Sequence, residues 1–292
     1  MDKRFLVIGS TGLLGQALMS ELKVQKKTVT GVARANADIS LDITDEKALH
    51  KLLHSEKPDV IINTVALVDL ALCESDPDLA YKINAKPSIE LAKFAATHNV
   101  KYVYVSTDHY YTGDTDTKHD ETHPLTLTNQ YGVTKQLGEE FALTNESTMV
   151  VRTNIVGFRG QKERPTFVEW VLDTLNKKQQ MQLFDDFYTS SIDVRSFSKN
   201  LLELIEQNAS GIINLASTQV TNKKDFILAL ANKLGLSCAN TKTVSMLEFE
   251  HTIDRNESLG LDVSKAEKIL DHPLPNLDDV IESLAAEYLE KE

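Results

Sequence analysis

The sequence predicts an α/β fold built on a doubly wound parallel sheet, followed by a smaller C-terminal α/β lobe. Short β-branched runs alternate with amphipathic helical patterns through the first half of the chain, a pattern that favours right-handed crossovers between parallel strands. A glycine-rich turn follows the first of these runs. After about residue 155 the alternation loosens, although no linker rich in glycine, serine or proline separates the two parts.

The strands are predicted from continuous apolar runs, which are typical of strands buried on both faces of a sheet. The predicted strands are residues 5–8, 28–33, 60–63, 102–106, 149–152 and 211–215. Helices are predicted where apolar residues recur with helical spacing. They cover residues 13–22, 45–54, 77–97, 130–143, 166–176, 194–205, 224–234, 264–270 and 277–288. The helix at Pro77 has a clear start, because Asp76 can cap it and proline suits the first helical position.

The amino-acid composition alone excludes several classes of protein. The 292 residues include 43 acidic and 31 basic side chains, for a net charge of −12, and 41% are hydrophobic. A largely disordered chain is excluded, and the acidic balance argues against partners such as nucleic acid or anionic membranes. Two cysteines form no disulfide framework or CxxC pair. The N-terminal apolar run is too short for a signal peptide and no run could span a membrane, so we predict a cytoplasmic protein.

A glycine turn directly follows the first predicted strand and opens a helix, which is the context of a dinucleotide site. Glycines let the backbone approach a pyrophosphate, and the helix N-terminus offers N–H groups. The alternative is that these are packing glycines. The spacing Gly-x-x-Gly-x-x-Gly resembles that of the extended short-chain dehydrogenase/reductase superfamily, whose sheet is Rossmann-type. The predicted cofactor residues here are Gly9, Thr11, Gly12, Leu13, Leu14 and Gly15.

The end of the second strand bears on the choice of cofactor. An acidic residue there would bind a ribose hydroxyl, whereas arginine accommodates a 2′-phosphate. Arg34 lies nineteen residues after Gly15, so we predict NADPH, with NADH as the alternative and a solvent-exposed arginine as the simpler explanation. Asp42 and Ile43 resemble the pair that holds adenine in this superfamily, although Asp42 could equally start the next helix.

Tyr131 and Lys135 lie four apart at a helix start, so both side chains share one face. A lysine ammonium beside a phenol stabilises the phenolate and makes tyrosine a usable proton donor near neutrality. Thr107 ends the preceding strand, where ligands of open α/β sheets bind. The three residues are therefore our predicted catalytic set.

Further motifs recur in the order typical of one family. They are Pro58-Asp59-Val60-Ile61-Ile62-Asn63, Cys73-Glu74, Asn84, Ser106-Thr107-Asp108, Tyr131-Gly132-x-Thr134-Lys135, Arg152-Thr153, Asp185-Asp186-Phe187 and Leu261-Asp262-x-Ser264-Lys265. Across essentially the whole chain they resemble the dTDP-4-dehydrorhamnose reductase family, which reduces the C4 ketone of a nucleotide-linked 6-deoxyhexose with a nicotinamide hydride.

The resemblance implies a role for each matching residue. Tyr131 would protonate the C4 oxygen, Lys135 would hold the nicotinamide ribose, and Thr107 would orient the ketone. Asn63, Val65 and Ala66 would pass under the cofactor. Residues 1–155 would form the NAD(P)-binding domain and residues 156–292 the substrate-binding lobe, with the chain crossing between them in one compact body.

Two sugar-contact positions depart from the family pattern. Asp108 would face the sugar. His109 stands where the family commonly has an aromatic residue, and the segment at Asn154 lacks a second aromatic residue that the family commonly has there. These three are the predicted substrate residues, and the identity of the nucleotide-linked deoxysugar stays open. Two interpretations of His109 are equally supported: an additional acid or base, or a packed imidazole.

The sequence leaves two alternative functions. One is an NAD(P)-dependent nucleotide-sugar epimerase or dehydratase that returns its hydride, and the other is a non-catalytic regulatory subunit that binds cofactor. No metal ligand set is predicted: His50 and His54 have no third partner, and the acidic run from Asp114 to Asp120 lacks the glycine and glutamate of a calcium loop. A homodimer is left open.

Overall fold

The computed structural model describes residues 3–248 and 253–291, except for the side chain of Leu247. The strands are β1 Arg4–Ile8, β2 Thr28–Ala33, β3 Ile39–Ser40, β4 Val60–Asn63, β5 Lys101–Val105, β6 Met149–Arg152, β7 Ile155–Val156, β8 Met181–Phe184, β9 Tyr188–Thr189, β10 Ile192–Asp193, β11 Gly211–Asn214, β12 Thr221–Asn222, β13 Thr241–Val244 and β14 Ser258–Leu259.

Helices alternate with these strands. They are α1 Leu13–Val24, α2 Glu46–Glu56, α3 Leu70–Ser75, α4 Pro77–Asn84, α5 Pro87–His98, α6 Gln130–Ala142, α7 Phe167–Asn176, α8 Val194–Glu206, α9 Lys223–Lys233, α10 Ser264–Leu270 and α11 Leu277–Lys291, with a short 3-10 helix at Met246–Glu248.

A seven-stranded sheet dominates the first part of the chain. Its order is β11-β6-β5-β4-β1-β2-β3, and the pairings from β3 through β6 are parallel. The strand order reverses between β1 and β4, the switch point at which doubly wound sheets bind ligands. Every residue of β4 is buried, as its apolar run predicts. The predicted α/β class with a parallel sheet is confirmed.

The helix predicted at residues 77–97 is instead two helices. Asp76 accepts a hydrogen bond from the N–H of Leu79 (2.9 Å) and caps α4, as expected. The helix then ends at Asn84, and α5 begins at Pro87. Proline has no N–H to donate and its ring clashes with the preceding turn, so the helical apolar pattern continues across a break in the backbone.

Contacts divide the chain into two units. Unit 1 comprises the chain up to Thr107, Leu127–Arg152 and Leu201–Ile213, and unit 2 comprises Asp108–Thr126, Thr153–Asn200 and the chain from Asn214 onward. The predicted boundary at residue 155 differs from this division, because the segment after β5 belongs to unit 2 and the segment around β11 to unit 1.

Each unit has its own apolar core. In unit 1, alternate residues of the strands pack with helices α2 and α5, and Leu6, Ile61, Leu53 and Leu91 are all at most 1% exposed. In unit 2, α7, α9 and α11 pack together. The strands of unit 2 form small sheets, ordered β10-β7, β12-β9-β14 and β13-β8.

No helix in residues 3–248 or 253–291 has the length and apolarity needed to cross a membrane.

Candidate active site

The glycine turn between β1 and α1 is held tightly. Gly9 has a φ of +90°, which favours glycine, and a Cβ there would lie 2.5 Å from Thr64 Oγ1. A Cβ on Gly15 would lie 2.1 Å from the carbonyl oxygen of Gly9. The N–H groups of Gly9 and Ser10 both donate to Val32 O, at 2.8 and 3.1 Å. The backbone of this turn therefore has little freedom.

The first turn of α1 has the features of an anion site. Its N-cap is Gly12, which offers no side chain to cap the helix, so the first N–H groups remain oriented along the helix axis toward the turn. Thr11, Gly12 and Leu13 are half-buried, whereas Leu14 and Gly15 are buried. A helix N-terminus of this kind attracts a phosphate through its N–H groups and its dipole.

Arg34 and Asp42 lie near each other beyond the ends of β2 and β3. Arg34 is exposed, and its charge helps to lower the pKa of Asp42, after the larger effect of hydrogen bonds from Thr44. Asp42 Oδ1 accepts from the N–H of Thr44 at 2.9 Å, while Asp45 caps α2 by accepting from Ala48. Asp42 thus leads into the helix without being its cap.

The loop after β4 lies beside the glycine turn. Thr64 Oγ1 donates to Ile8 O at 2.9 Å, and Asn63 Oδ1 accepts from the N–H of Val65 at 3.1 Å. Asn63 is 2% exposed, and Val65 and Ala66 are half-buried. The predicted cofactor residues from Gly9 to Ala66 therefore follow the carboxyl ends of β1, β2, β3 and β4, and Tyr131 and Lys135, which were also predicted to bind the cofactor, lie on α6; all are within unit 1.

Tyr131 and Lys135 are one turn apart on α6, as predicted. Asn129 caps the helix by accepting from the N–H of Gly132 at 2.9 Å, and Glu74 Oε1 accepts from the N–H of Gln130 at 2.5 Å. Tyr131 packs against Cys73 and Ala80 and is 8% exposed. Two side chains thus fix the start of the helix that carries the predicted proton donor.

Lys135 is almost completely enclosed. It is 1% exposed, its Nζ donates to Val105 O at 2.8 Å, and it lies 4.2 Å from the centre of the Tyr104 ring. Burial lowers the pKa of Lys135 to about 7, and the carboxylate of Glu139 only partly opposes that effect. Thr107, two residues beyond Val105, is 4% exposed. The lysine therefore reaches the strand end that carries the predicted ketone-orienting threonine.

Asn84 connects three segments around this helix. Its Oδ1 accepts from the N–H of Leu67 at 2.7 Å, its Nδ2 donates to Thr134 Oγ1 at 3.1 Å, and its carbonyl accepts from the Tyr104 hydroxyl at 2.7 Å. The loop after β4, α6 and β5 are thus tied to one asparagine.

A buried ion pair anchors the far side of α6. The guanidinium of Arg152 on β6 donates to Glu139 Oε2 at 2.7 Å, and both side chains are 3% exposed. The family motif Arg152-Thr153 marked this arginine, whereas nothing in the sequence indicated Glu139. Its partnership depends on the packing of α6 against β6.

The three predicted substrate residues lie in unit 2, where Asp108 and Asn154 are in contact. Asn154 Nδ2 donates to Asp108 Oδ2 at 2.7 Å, and Asn154 Oδ1 accepts from Ser191 Oγ at 2.8 Å. Asp108 is 1% exposed. His109 Nε2 lies 4.0 Å from Asp108 Oδ1. A carboxylate held by an amide in this way is a fixed hydrogen-bond acceptor.

Two cations, Lys223 and Arg255, act on His109, and Lys223 was not among the predicted site residues. Burial, together with the charges of Lys223 and Arg255, lowers the pKa of His109 to about 4. Burial also lowers the pKa of Lys223 to about 8, against the attraction of Asp108. The ammonium of Lys223 lies 4.5 and 5.5 Å from the ring centres of Phe167 and Phe187.

Lys223 could have been found from its position. It is the first residue of α9, after the N-cap Asn222, and a cation is unfavourable at a helix N-terminus. A lysine at this position therefore indicates a role other than stabilising the helix.

Comparison with known proteins identifies the family of this chain. A family model described as the RmlD substrate binding domain matches residues 3–290. The chain belongs to this family. The resemblance to dTDP-4-dehydrorhamnose reductases that the sequence motifs indicate is therefore confirmed.

Three individual proteins illustrate the similarity. Probable low-salt glycan biosynthesis reductase Agl14 of Haloferax volcanii is 27% identical over 97% of each chain. Methionine adenosyltransferase 2 subunit beta of Xenopus laevis is 30% identical over 92% of this chain and 83% of its own. A dTDP-4-dehydrorhamnose reductase from Bacillus anthracis in complex with NADP superposes with a TM-score of 0.88, at 23% identity, over 99% of this chain and all of its own.

Proposed function

We propose that the protein is an NADPH-dependent reductase of the C4 ketone of a nucleotide-linked 4-keto-6-deoxyhexose, with Tyr131 as the proton donor. The observation that carries the proposal is the position of Lys135, which is buried, one helical turn from Tyr131, and bonded to the carbonyl two residues before Thr107. The family membership and the reductases among the relatives support the same reaction class.

The cofactor residues fit a dinucleotide. The cofactor would supply a hydride when bound. The N-terminus of α1 and the glycine turn would hold its pyrophosphate, and Arg34 would pair with a 2′-phosphate. Asn63, Val65 and Ala66 would lie along it, with Asp42 and Ile43 near its adenine. The tight closure of the glycine turn, where side chains at Gly9 or Gly15 would collide with neighbouring atoms, supports this assignment.

Proton transfer is the task of the chain itself. Tyr131 would give its hydroxyl proton to the substrate oxygen as the carbonyl carbon receives the hydride and the C=O bond becomes C–O–H. The phenolate left behind is stabilised by the nearby ammonium of Lys135, and Thr107 would donate a hydrogen bond to the same oxygen. Positioned acids of this kind contribute about 10²–10⁴-fold to a rate.

The polar residues of unit 2 suit the nucleotide sugar. Asp108, held by Asn154, would accept from a sugar hydroxyl. Lys223 and Arg255, whose charges both act on His109, supply the positive charge that a diphosphate requires. With a pKa of about 4, His109 is neutral at physiological pH, which supports a hydrogen-bonding role in place of acid catalysis. These local cations explain how a protein of net charge −12 would hold an anionic substrate.

The test is an assay of reduced-nicotinamide absorbance with a panel of nucleotide-linked 4-keto-6-deoxyhexoses. We expect stoichiometric oxidation of NADPH and a fall in kcat of about 10³-fold in Tyr131→Phe. The matched control is Tyr81→Phe, because that ring packs edge-on against Phe141 and has no assigned role in the reaction. Tight NADPH binding with no oxidation by any sugar would overturn the proposal.

A second candidate is a regulatory subunit that binds cofactor without turnover. It is favoured by the 30% identity to methionine adenosyltransferase 2 subunit beta, and the complete set of Thr107, Tyr131 and Lys135 argues against it. The same assay separates the two, because a regulatory subunit would bind NADPH without consuming it. An epimerase or dehydratase would convert the sugar with no net change in NADPH.

A further inference from the structure

A group of metal-ligating side chains lies in unit 2, in the segment from Asp108 to Thr126. Asp114, His119 and His123 each offer a ligand atom, and these atoms all lie within 4.8 Å of one another. The spacing of four and three intervening residues falls on irregular chain, not on one helix, so no periodic motif marks it. The reductase reaction proposed above uses none of the three.

His119 is the centre of the group. It is 1% exposed, its Nδ1 lies 2.7 Å from Gly260 O, and its Nε2 lies 2.9 Å from Asp114 Oδ2. A neutral imidazole has a single N–H, so only one of these two oxygens can accept a hydrogen bond from it. The contact between His119 and Asp114 is then a hydrogen bond only if the pair holds one additional proton, and a cation bound by both atoms would take the place of that proton.

Two further observations favour a metal cation. Metal-bound histidines usually donate their other N–H to a backbone carbonyl or carboxylate, as the Nδ1 of His119 is placed to do toward Gly260. The second carboxylate oxygen of Asp114, Oδ1, is buried and has no hydrogen-bond partner within the described residues. Exposed His123 completes the group, with its ring centre 4.5 Å from that of His119.

We propose that Asp114, His119 and His123 bind a divalent transition metal ion, with Zn²⁺ as the best match. Two imidazole nitrogens and one carboxylate oxygen are donors that Zn²⁺ accepts in tetrahedral sites, where water takes the fourth position. Zn²⁺ bonds of about 2.0–2.2 Å require the ligand atoms to approach more closely than the 4.8 Å limit, and a rotation of the exposed His123 side chain would bring its nitrogen closer.

The backbone around the site is already fixed. The N–H of His119 donates to Gly260 O at 3.0 Å, and its carbonyl accepts from the N–H of Asp262 at 2.9 Å. The N–H of Asp114 donates to Ser258 Oγ at 3.2 Å. Two of the three ligands are thus anchored to the chain around β14, and metal binding would stabilise the segment that begins with Asp108.

Competitive titration of Zn²⁺ against a chromophoric chelator tests the site in the full-length protein. We expect one ion per chain with micromolar or tighter affinity, weakened about 100-fold or more by His123→Ala and by Asp114→Asn. His123 is exposed, so its loss should leave the fold intact, as far-UV circular dichroism would verify. The controls are Asp116→Asn, an exposed acid of the same segment, and His54→Ala, which removes the exposed pair with His50.

Each outcome decides the proposal. Stoichiometric binding that is lost only in His123→Ala and Asp114→Asn supports it, together with a Co²⁺ spectrum typical of tetrahedral coordination and a metal-dependent rise in Tm. Binding that survives His123→Ala but is lost in His54→Ala would assign the ion to the surface histidine pair. The absence of binding would leave only the direct contact between His119 and Asp114, and either result overturns the metal site.

Discussion

The two units place their functional residues by different means. In unit 1, long parallel strands end at one edge of a sheet, and the backbone itself presents the glycine turn and the predicted cofactor residues. In unit 2, most strands have two residues, and side chains such as Asn154 and Ser191 hold the polar groups. If the proposed roles are correct, unit 1 can change little without losing activity, whereas unit 2 can change the specificity for the sugar through a few hydrogen bonds.

The largest expected effect concerns the loss of stability that results from burying Lys135 in unit 1. Burial lowers the pKa of Lys135 from 10.5 to about 7. At a pH between 7 and 10.5, this lysine binds more protons in the unfolded chain than in the folded one. The free energy of unfolding therefore rises as pH increases from 7 to 10.5. We expect cofactor-free Lys135→Met to be more stable than the wild type by about 2–4 kcal/mol at roughly pH 6. The difference should shrink toward about pH 10.

Denaturant unfolding at several pH values measures this effect, with the exposed Lys93→Met as the matched control. A Lys135→Met protein that is less stable than the wild type at about pH 6 would show that the lysine stabilises the fold. Its activity should fall in either case, because the ammonium near Tyr131 is lost.

The buried ion pair gives the next largest effect. Glu139→Gln removes the carboxylate charge that pairs with the Arg152 guanidinium in a site that is 3% exposed, and we expect a loss of about 3 kcal/mol in the free energy of unfolding. The double variant Glu139→Leu with Arg152→Met should recover much of that loss. If the ion pair were required for the packing of α6, the double variant would remain as unstable as Glu139→Gln. Urea denaturation, which measures the free energy of unfolding, distinguishes these two outcomes.

A smaller effect is expected in unit 2, where Lys223→Met should raise the KM for the nucleotide sugar about 10-fold or more. The KM for NADPH should stay unchanged. Because the pKa of Lys223 is about 8, the wild-type sugar KM should rise as pH increases above 8, and the variant should lack that rise. Steady-state kinetics from about pH 6.5 to 9 would show it. Equal effects on both KM values would contradict the separate roles of the two units.

The smallest effect concerns cofactor choice. Arg34 is exposed, so solvent weakens its attraction for a 2′-phosphate, and we expect Arg34→Ala to raise the KM for NADPH about fivefold. The KM for NADH should not change. A wild-type protein that prefers NADH would contradict the role assigned to Arg34, and paired kinetics with both cofactors decide it.

The sequence predicted six of the seven strands of the large sheet to within one residue at each end, because strands such as β4 and β6 are buried runs of apolar residues with sharp ends. It missed β3, which has only two residues. The break before Pro87 was missed, since helical periodicity continues through it. The two-residue strands of unit 2 were missed for another reason: two residues are too few to show any alternation, and long-range pairing alone defines them.

The candidate site shows the same division. Tyr131, Lys135 and the glycine turn carry local motifs, so their chemistry could be inferred from the order of the residues alone. Glu139 and Lys223 have no motif, and their roles follow from partners that are distant in sequence. The proximity of Asp114 to His123 likewise depends on how an irregular segment folds.

The hydrogen bonds of Asn84 determine when the conformational entropy of the site is lost. Its hydrogen bonds hold the loop after β4, the helix with Tyr131 and Lys135, and the strand that leads to Thr107. These segments are therefore ordered when the chain folds, before any ligand arrives. The conformational entropy of arranging them is lost once per folding event and not at every turnover, so more of the binding energy of each substrate molecule remains available for the reaction.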